Sequence, residues 1–162
     1  MTAAEALAQL DSRLEAVTGT KIVPIRDATG RILAADIISS RSVPPHDNAA
    51  VDGYAVFFDD LSRQSETRLP IAGRINAGHP LSGPAQRGNA YRIFTGAPMP
   101  AGTDSVLMQE DCRIDGNEVI IPPGIKQGAN RRFAGEDIET GTTILKAGRR
   151  LRPQDLGLAA SI

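Results

Sequence analysis

The stretch PPHDNAAVDGYAVFFDD, residues 44–60, changes character twice within its length. Pro44 and Pro45 stop any regular element before it, because proline fixes φ and carries no N–H. Asp47, Asn48 and Asp52 then arrive within six positions, with Gly53 directly behind the last. Only after Gly53 does an apolar run begin, and GYAVFF is rich in strand formers with weak alternation. The proline pair therefore marks a boundary at which the pattern becomes β. Asp52 followed by Gly53 admits two readings. The carboxylate can cap a turn, or it can be held at a strand start to meet a hard cation or hydrogen-bond a ligand. Asp47 and Asn48 serve equally well as local turn formers.

Upstream of the boundary, Thr2 and Glu5 have capping-box spacing. Leu7, Leu10, Leu14 and Val17 follow on one face, predicting a helix over about Ala3–Val17 with Gly19 as its stop. KIVPI reads as a short edge strand, ATGRILAAD as a brief turn of helix, and IISS as a strand. Downstream, RLPIAGRI, NAYRIF, DSVLMQEDCRI and NEVII are further strand candidates, with a hairpin signal at Asp115-Gly116. TTILKAG reads as a strand after a basic patch. Pro153 suits the first turn of a final helix, with Asp155 near its positive end, and that helix is expected to run off the chain at Ile162. The fold class is α+β and β-rich. A discontinuous helix/strand outer domain (1–44 and 126–162) carries an inserted β-rich domain (45–125).

At 162 residues the chain is long enough to hide about 70% of its extended surface on folding. Hydrophobic residues at 41% and charged residues at 23% place it among globular proteins. A net charge of -1 and few aromatics argue against nucleic acid, whose phosphates demand an excess of Lys and Arg. Cys112 stands alone, so neither an internal disulfide nor a thiolate metal cluster is possible, and a reducing cytoplasmic setting fits. No signal peptide or membrane span is expected. His46 and His79 lack ligand spacing.

Three segments downstream concentrate polar groups beside Gly or Pro. In YRIFTGAPMPAGTDSVLMQE, residues 91–110, a strand runs into Thr95-Gly96-Ala97. Gly96 lets backbone amides approach an anion, Thr95 adds a hydroxyl, and such a turn can form an oxyanion nest; equally, it is a proline-stiffened reversal. Glu110 reads as a solvated strand end. In GIKQGANRRFAGEDI, residues 124–138, Lys126, Arg131 and Arg132 precede Glu136 and Asp137. Arginine matches oxyanions two bonds at a time, and neighbouring carboxylates can hold Mg²⁺; equally, this is a surface ion-pair cluster. In GRRLRPQD, residues 148–155, three arginines oppose the macrodipole of the coming helix and read as a solvated face or an interface.

Taken in order, PPHDNAAVDGYAV, RIFTGAPMPAGTDSVLMQE, NRRFAGEDI and ILKAGRRLRPQDLGLAAS resemble the N-terminal half of the MoeA/gephyrin E-domain family, the molybdopterin molybdenumtransferases. The family pattern is similar to DNSAMDGYA, TGAPxPxGAD and GEDI followed by a proline-started helix, and the likeness covers nearly the whole chain. It implies insertion of molybdate into adenylylated molybdopterin with release of AMP, in molybdenum cofactor biosynthesis, with Mg²⁺. It implies a homodimer whose cleft is shared with a second copy of the chain. Asp52, Thr95 and Asp137 match catalytic positions. Arg132, Gly96 and Asn48 match substrate-binding positions, and Asp52 and Asp137 the metal positions.

The sequence departs from the pattern at Ala49, where the family usually has Ser, at Val51 for Met, at His46 for an aromatic residue, and at Phe133 in a loop that is often more basic. The first change removes a hydroxyl near the cleft. The resemblance also implies a pterin-binding domain and a C-terminal β domain beyond this region, so the chain is expected to lack transferase activity alone. The alternative is a non-catalytic dimerisation or scaffold module of the gephyrin type. Retention of Asp52, Thr95, Arg132 and Asp137 together favours the transferase. A third reading, an unrelated β-rich binding domain, expects the three loops to lie apart.

Overall fold

The computed structural model describes residues 1–15 and 17–162. Its centre is a six-stranded sheet. In chain order the strands are β1 (Ile37–Ile38), β2 (Asn48–Ala49), β3 (Gly53–Val56), β4 (Thr67–Ile75), β5 (Ala90–Ile93), β6 (Ser105–Met108), β7 (Arg113–Asp115), β8 (Glu118–Ile121), β9 (Arg131–Arg132) and β10 (Thr143–Leu145). The large sheet runs β6-β3-β5-β4-β8-β7. Its pairs are antiparallel except β4 with β5. Two small ribbons, β1–β10 and β2–β9, lie outside it.

The reading of GYAVFF as a strand holds over its first four residues, β3, while Phe58 opens a 3₁₀ turn. Every residue of β3 is buried, because both faces of the large sheet are covered, so the strand is a continuous apolar run and not a clean alternation. One face gathers Ala55, Ile75, Tyr91, Ile93 and Val106 against Ala49 and Ala97. The other gathers Tyr54, Val56, Leu69, Leu107, Val119 and Ile121. A third cluster joins Ala28 to Leu145 and Leu151, with Leu156 and Leu158 packed on it.

Several expectations are corrected. Helix α1 (Ala3–Arg13) has the capping box, with Glu5 N donating to Thr2 Oγ1 (3.2 Å) and Thr2 N to Glu5 Oε2 (2.6 Å). It ends at the extended Leu14 and not near Val17, and Ala16 lies outside the described residues. The helix buries no residue, so no core contact extends it, and an isolated helix of this length is marginal in water. KIVPI forms no strand; Pro24 instead caps a 3₁₀ turn over Ile25–Asp27. ATGRILAAD is not helical: Gly30 is in the left-handed region (φ 77°), and Ile32 bridges Arg150. DSVLMQEDCRI splits into β6 and β7 around a 3₁₀ turn at Gln109–Asp111. The β7–β8 hairpin forms with Asp115 opposite Glu118, so its two-residue loop is Gly116-Asn117. Strands β2 and β9 were not expected.

The final helix is α2 (Pro153–Ala160), with Pro153 in its first turn as expected and Ser161 still in the αR region. The arginines before it are not a bare solvated face. Arg149 Nη2 donates to Asp155 Oδ1 (2.7 Å), and the Arg152 amide and Nε donate to Oδ2 (2.9 and 3.4 Å). Asp155 is 3% exposed, and these charge-assisted bonds, the Arg149 contact foremost, bring its carboxyl down to about 2. Among the described residues no helix is long and apolar enough to cross a membrane.

Candidate functional site

Strand β2 is the hinge-pin of the site. On one edge Asn48 stands opposite Arg132 and Ala49 opposite Arg131. On the other, Asn48 bridges Pro98, Ala49 N donates to Ala97 O (3.0 Å), and Gly96 N donates to Ala49 O (2.9 Å). A two-residue strand thus draws the 95–98 turn and the 130–134 segment to the same place. The tie is reinforced by Asp47. Its Oδ2 accepts from Arg131 Nε (3.0 Å) and from Nη2, and its Oδ1 accepts from Ala134 N (2.8 Å). Burial pushes the Asp47 carboxyl up, but the Ala134 amide and Arg131 outweigh it and hold it below the usual range. Asp47 is no local turn former; it fastens a segment more than eighty residues away.

Asp52 follows two residues after Ala50 and sits at the mouth of β3. Its Oδ1 accepts two bonds from Thr95, one from the backbone N (2.8 Å) and one from Oγ1 (2.7 Å). Those bonds, the backbone one first, hold its carboxyl below the usual range, with Arg92 adding its charge. Its Oδ2 carries no hydrogen bond among the described residues. The glycine beside it has a physical cause as well. A Cβ on Gly53 would lie 1.7 Å from the carbonyl oxygen of Leu107, because β6 passes directly against the β3 backbone.

Thr95 and Gly96 are therefore joined to Asp52 and Ala49. The expected nest, however, is absent. The amides of Thr95, Gly96 and Ala97 are committed to Asp52 Oδ1, Ala49 O and Phe94 O, which leaves this turn no free backbone donor for an anion. What Gly96 supplies is room. It is exposed at φ 77°, with nothing within 4 Å of where a Cβ would be.

Arg132 and Asp137 form the other half. Arg132 Nη2 donates to Asp137 Oδ1 (2.7 Å) and its Nε to Glu136 Oε1 (2.8 Å), while Glu136 Oε2 takes the Phe133 amide (2.8 Å). Arg132 and then the Phe133 amide hold the Glu136 carboxyl low. Asp137 N donates to Val43 O (2.9 Å), fixing this loop beneath the proline pair. The side chains of Asp52 and Asp137 make no contact with one another; the backbone of β2 is what connects their loops. Asn48, with its amide oriented by hydrogen bonding, donates to the carbonyls of His46 (3.1 Å) and Asp47 (3.2 Å).

Two participants were missed. Glu110 is not merely solvated: it lies within electrostatic reach of Asp52, and Gln109 Nε2 donates to it (3.0 Å). Arg92 reaches across the sheet to Gly53 O (2.9 Å) and Gln109 Oε1. Nothing local in the sequence announces either one, since both depend on β5 and β6 flanking β3.

The donor set bears on a metal ion as follows. Among the described residues no three or more His, Cys, Asp or Glu side chains converge. Asp52 offers one uncommitted carboxylate oxygen, and Asp137 offers Oδ2. That suits Mg²⁺, which keeps most of its waters and takes one or two carboxylates beside a ligand's phosphates.

A mixed α+β architecture with a mostly sheet interior, two helices and a strand-mouth carboxylate defines the structural class. The chain belongs to the MoeA N-terminal region family (domain I and II), whose pattern matches residues 1–162. It is 38% identical to the molybdopterin molybdenumtransferase of Haemophilus influenzae over its full length and 40% of that protein. It is 36% identical to that of Nostoc sp., over 92% of this chain and 35% of the relative. The molybdopterin biosynthesis moeA protein of Pyrococcus horikoshii superposes with a TM-score of 0.86 at 34% identity, covering 98% of this chain and 42% of that one. The chain thus spans about two-fifths of the length of these relatives.

Proposed function

We propose that this chain is the N-terminal region of a molybdopterin molybdenumtransferase, which inserts molybdate into adenylylated molybdopterin and releases AMP. The observation that carries the reading is the convergence on β2: the Thr95-clasped Asp52 on one side, Arg132 with Asp137 on the other. The names of the relatives support it. In this reading 1–44 with 126–162 form the outer unit, 45–125 the insert, and a second copy of the chain completes the cleft.

The chemistry follows from the residue types. Molybdate is a dianion, and breaking the pyrophosphate link of the second substrate develops negative charge. Arg132, held in place by Glu136 and Asp137, stabilises that charge. Thr95 keeps Asp52 ionised and occupies only its Oδ1, leaving Oδ2 for a ligand. Gly96 leaves the approach open, and Asn48 shapes it. Mg²⁺, held by Asp52 with Asp137 the second candidate, supplies Lewis-acid neutralisation of phosphate oxygens when bound. No covalent nucleophile is required.

The test is molybdate-dependent AMP release by the protein carrying this region together with the remaining length of its relatives. Asp52→Asn is expected to lower the rate about 10²-fold, and the 162-residue chain alone is expected to release none. An undiminished rate in the variant refutes the assignment. The scaffold reading gains support if the longer protein binds its partners yet shows no AMP release.

A further inference from the structure

Across the large sheet, one transverse row reads Leu107, Tyr54, Arg92, Arg74, each the register partner of the next on β6, β3, β5 and β4. The row begins in the apolar cluster around Leu107 and Tyr54 and ends in two arginines that are register partners on β5 and β4. Like charges directly opposite one another on neighbouring strands are destabilising, so this pair needs a reason. Arg92 is fixed. Its Nη1 donates to Gly53 O (2.9 Å) and Ile93 O (3.0 Å), and its Nη2 to Gln109 Oε1. Asp52 and Glu110 balance part of its charge. Arg74 is different. Among the described residues its guanidinium has no ion pair and no hydrogen bond, and it lies 4.4 Å from the Phe94 ring centroid, while Arg92 lies 4.3 Å from the same centroid. Phe94 thus positions both cations.

Tyr54, Arg92 and Arg74 of this row line an open surface groove of about 480 Å³ together with Ile71, Gly73 and Ile114. Tyr54 is 6% exposed, and its hydroxyl makes no hydrogen bond within the described chain. The groove therefore combines apolar side chains, one phenol and two cations, one of them fixed by hydrogen bonds and the other stacked on Phe94 with its donors free among the described residues. Apolar surface with a few polar groups is the mixture that small-molecule sites use.

We propose that this row is an oxyanion-binding site, in which Arg74 and Arg92 grip a phosphate or carboxylate group and Ile71, Ile114 and Tyr54 receive the apolar body that bears it. The fork of Arg74, which makes no hydrogen bond among the described residues, matches either headgroup bidentately, and an anion held there offsets the charge of both arginines. The site shares Arg92 with the surroundings of the Asp52–Thr95 clasp, but it does not rest on the transferase reading, since it is tested by binding alone.

The experiment is a titration of the 162-residue chain with inorganic phosphate, and in parallel with acetate, read by backbone amide NMR. The expected result is saturable shifts at Tyr54, Gly73, Arg74, Arg92 and Phe94. Whichever anion binds more tightly identifies the headgroup. Arg74→Gln, which removes no internal hydrogen bond, is expected to weaken binding about tenfold while leaving the rest of the spectrum in place. Arg63→Gln, on the separate cavity beside Lys126, is expected to leave binding unchanged. Shifts that never saturate with either anion, shifts centred on Lys126 or Arg132, or equal affinity in Arg74→Gln would overturn the proposal.

Discussion

Replacing Gly53 by alanine tests the packing around the strand mouth most directly. Gly53 is not in the left-handed region, so the substitution carries no backbone penalty; the obstacle is space alone. The new Cβ would lie 1.7 Å from Leu107 O, 2.8 Å from Leu107 C and 3.2 Å from Val106 Cγ1. A carbon rests against a carbonyl oxygen at about 3.3 Å, so β3 and β6 must part by about 1.6 Å. Strand β3 is buried throughout, and β6, though it is the edge strand, is buried up to Met108; the obstructing atoms nearest the new Cβ are backbone, so no side chain can swing aside. Overpacking of this kind costs about 3 kcal/mol or more. The displaced β3 also carries Asp52 and the carbonyl that anchors Arg92. In urea, with a slope of about 2 kcal/mol/M, the unfolding midpoint of Gly53→Ala is expected to fall by about 1.5 M with the slope unchanged. Gly96→Ala is the contrast. It meets no atom but sits at φ 77°, so only the left-handed strain of about 1–2 kcal/mol applies. A midpoint drop under about 0.3 M for Gly53→Ala would refute the steric account.

Other consequences are measurable. Asp47→Ala removes the partner of the half-buried Arg131 and the acceptor of the exposed Ala134 amide, and is expected to cost about 2 kcal/mol in urea unfolding; an unaltered midpoint would show that β9 holds to β2 without it. Asp155 has its carboxyl lowered to about 2 in the folded chain from the ordinary 3.8, so its stabilising effect is complete above the unfolded value and disappears as pH falls from about 4 to about 2. Asp155→Asn is therefore expected to flatten that part of the stability–pH curve, and a curve parallel to wild type counts against the Arg149 clasp. Burial, with Asp111 adding to it, pushes the Cys112 thiol up to about 11. Its alkylation by iodoacetamide at mildly alkaline pH is expected to be at least about tenfold slower than that of a free cysteine thiol, and a matching rate contradicts the packing of Cys112 against the second sheet face.

How much was legible beforehand depended on where a residue's partners lie. The capping box of α1 and the β7–β8 hairpin were readable because their partners sit three residues apart or across a tight turn. Arg152 and Asp155 are three apart as well, yet the macrodipole argument hid them: it weighed the charges against the helix and not against each other. Strands β2 and β9 are two residues long and have no periodicity to detect. Asp47 was read as a turn former because its true partners are 84 and 87 positions away. That Gly53 must be glycine because the Leu107 carbonyl passes against it follows only from strand order. Segment-by-segment chemistry left the site open, and the order of its motifs named the family.

The long reach of Asp47 also sets a timetable. The ribosome adds about 5–20 residues each second, so roughly 4–17 seconds separate the emergence of Asp47 from that of Arg131, 84 positions later. Through that interval one edge of β2 has no mate, and an unmated edge invites other chains. The growing polypeptide therefore passes through an adhesive stage that ends when the 130–134 segment arrives, and the cellular machinery that shields nascent chains has its task here defined by a single late-arriving ribbon.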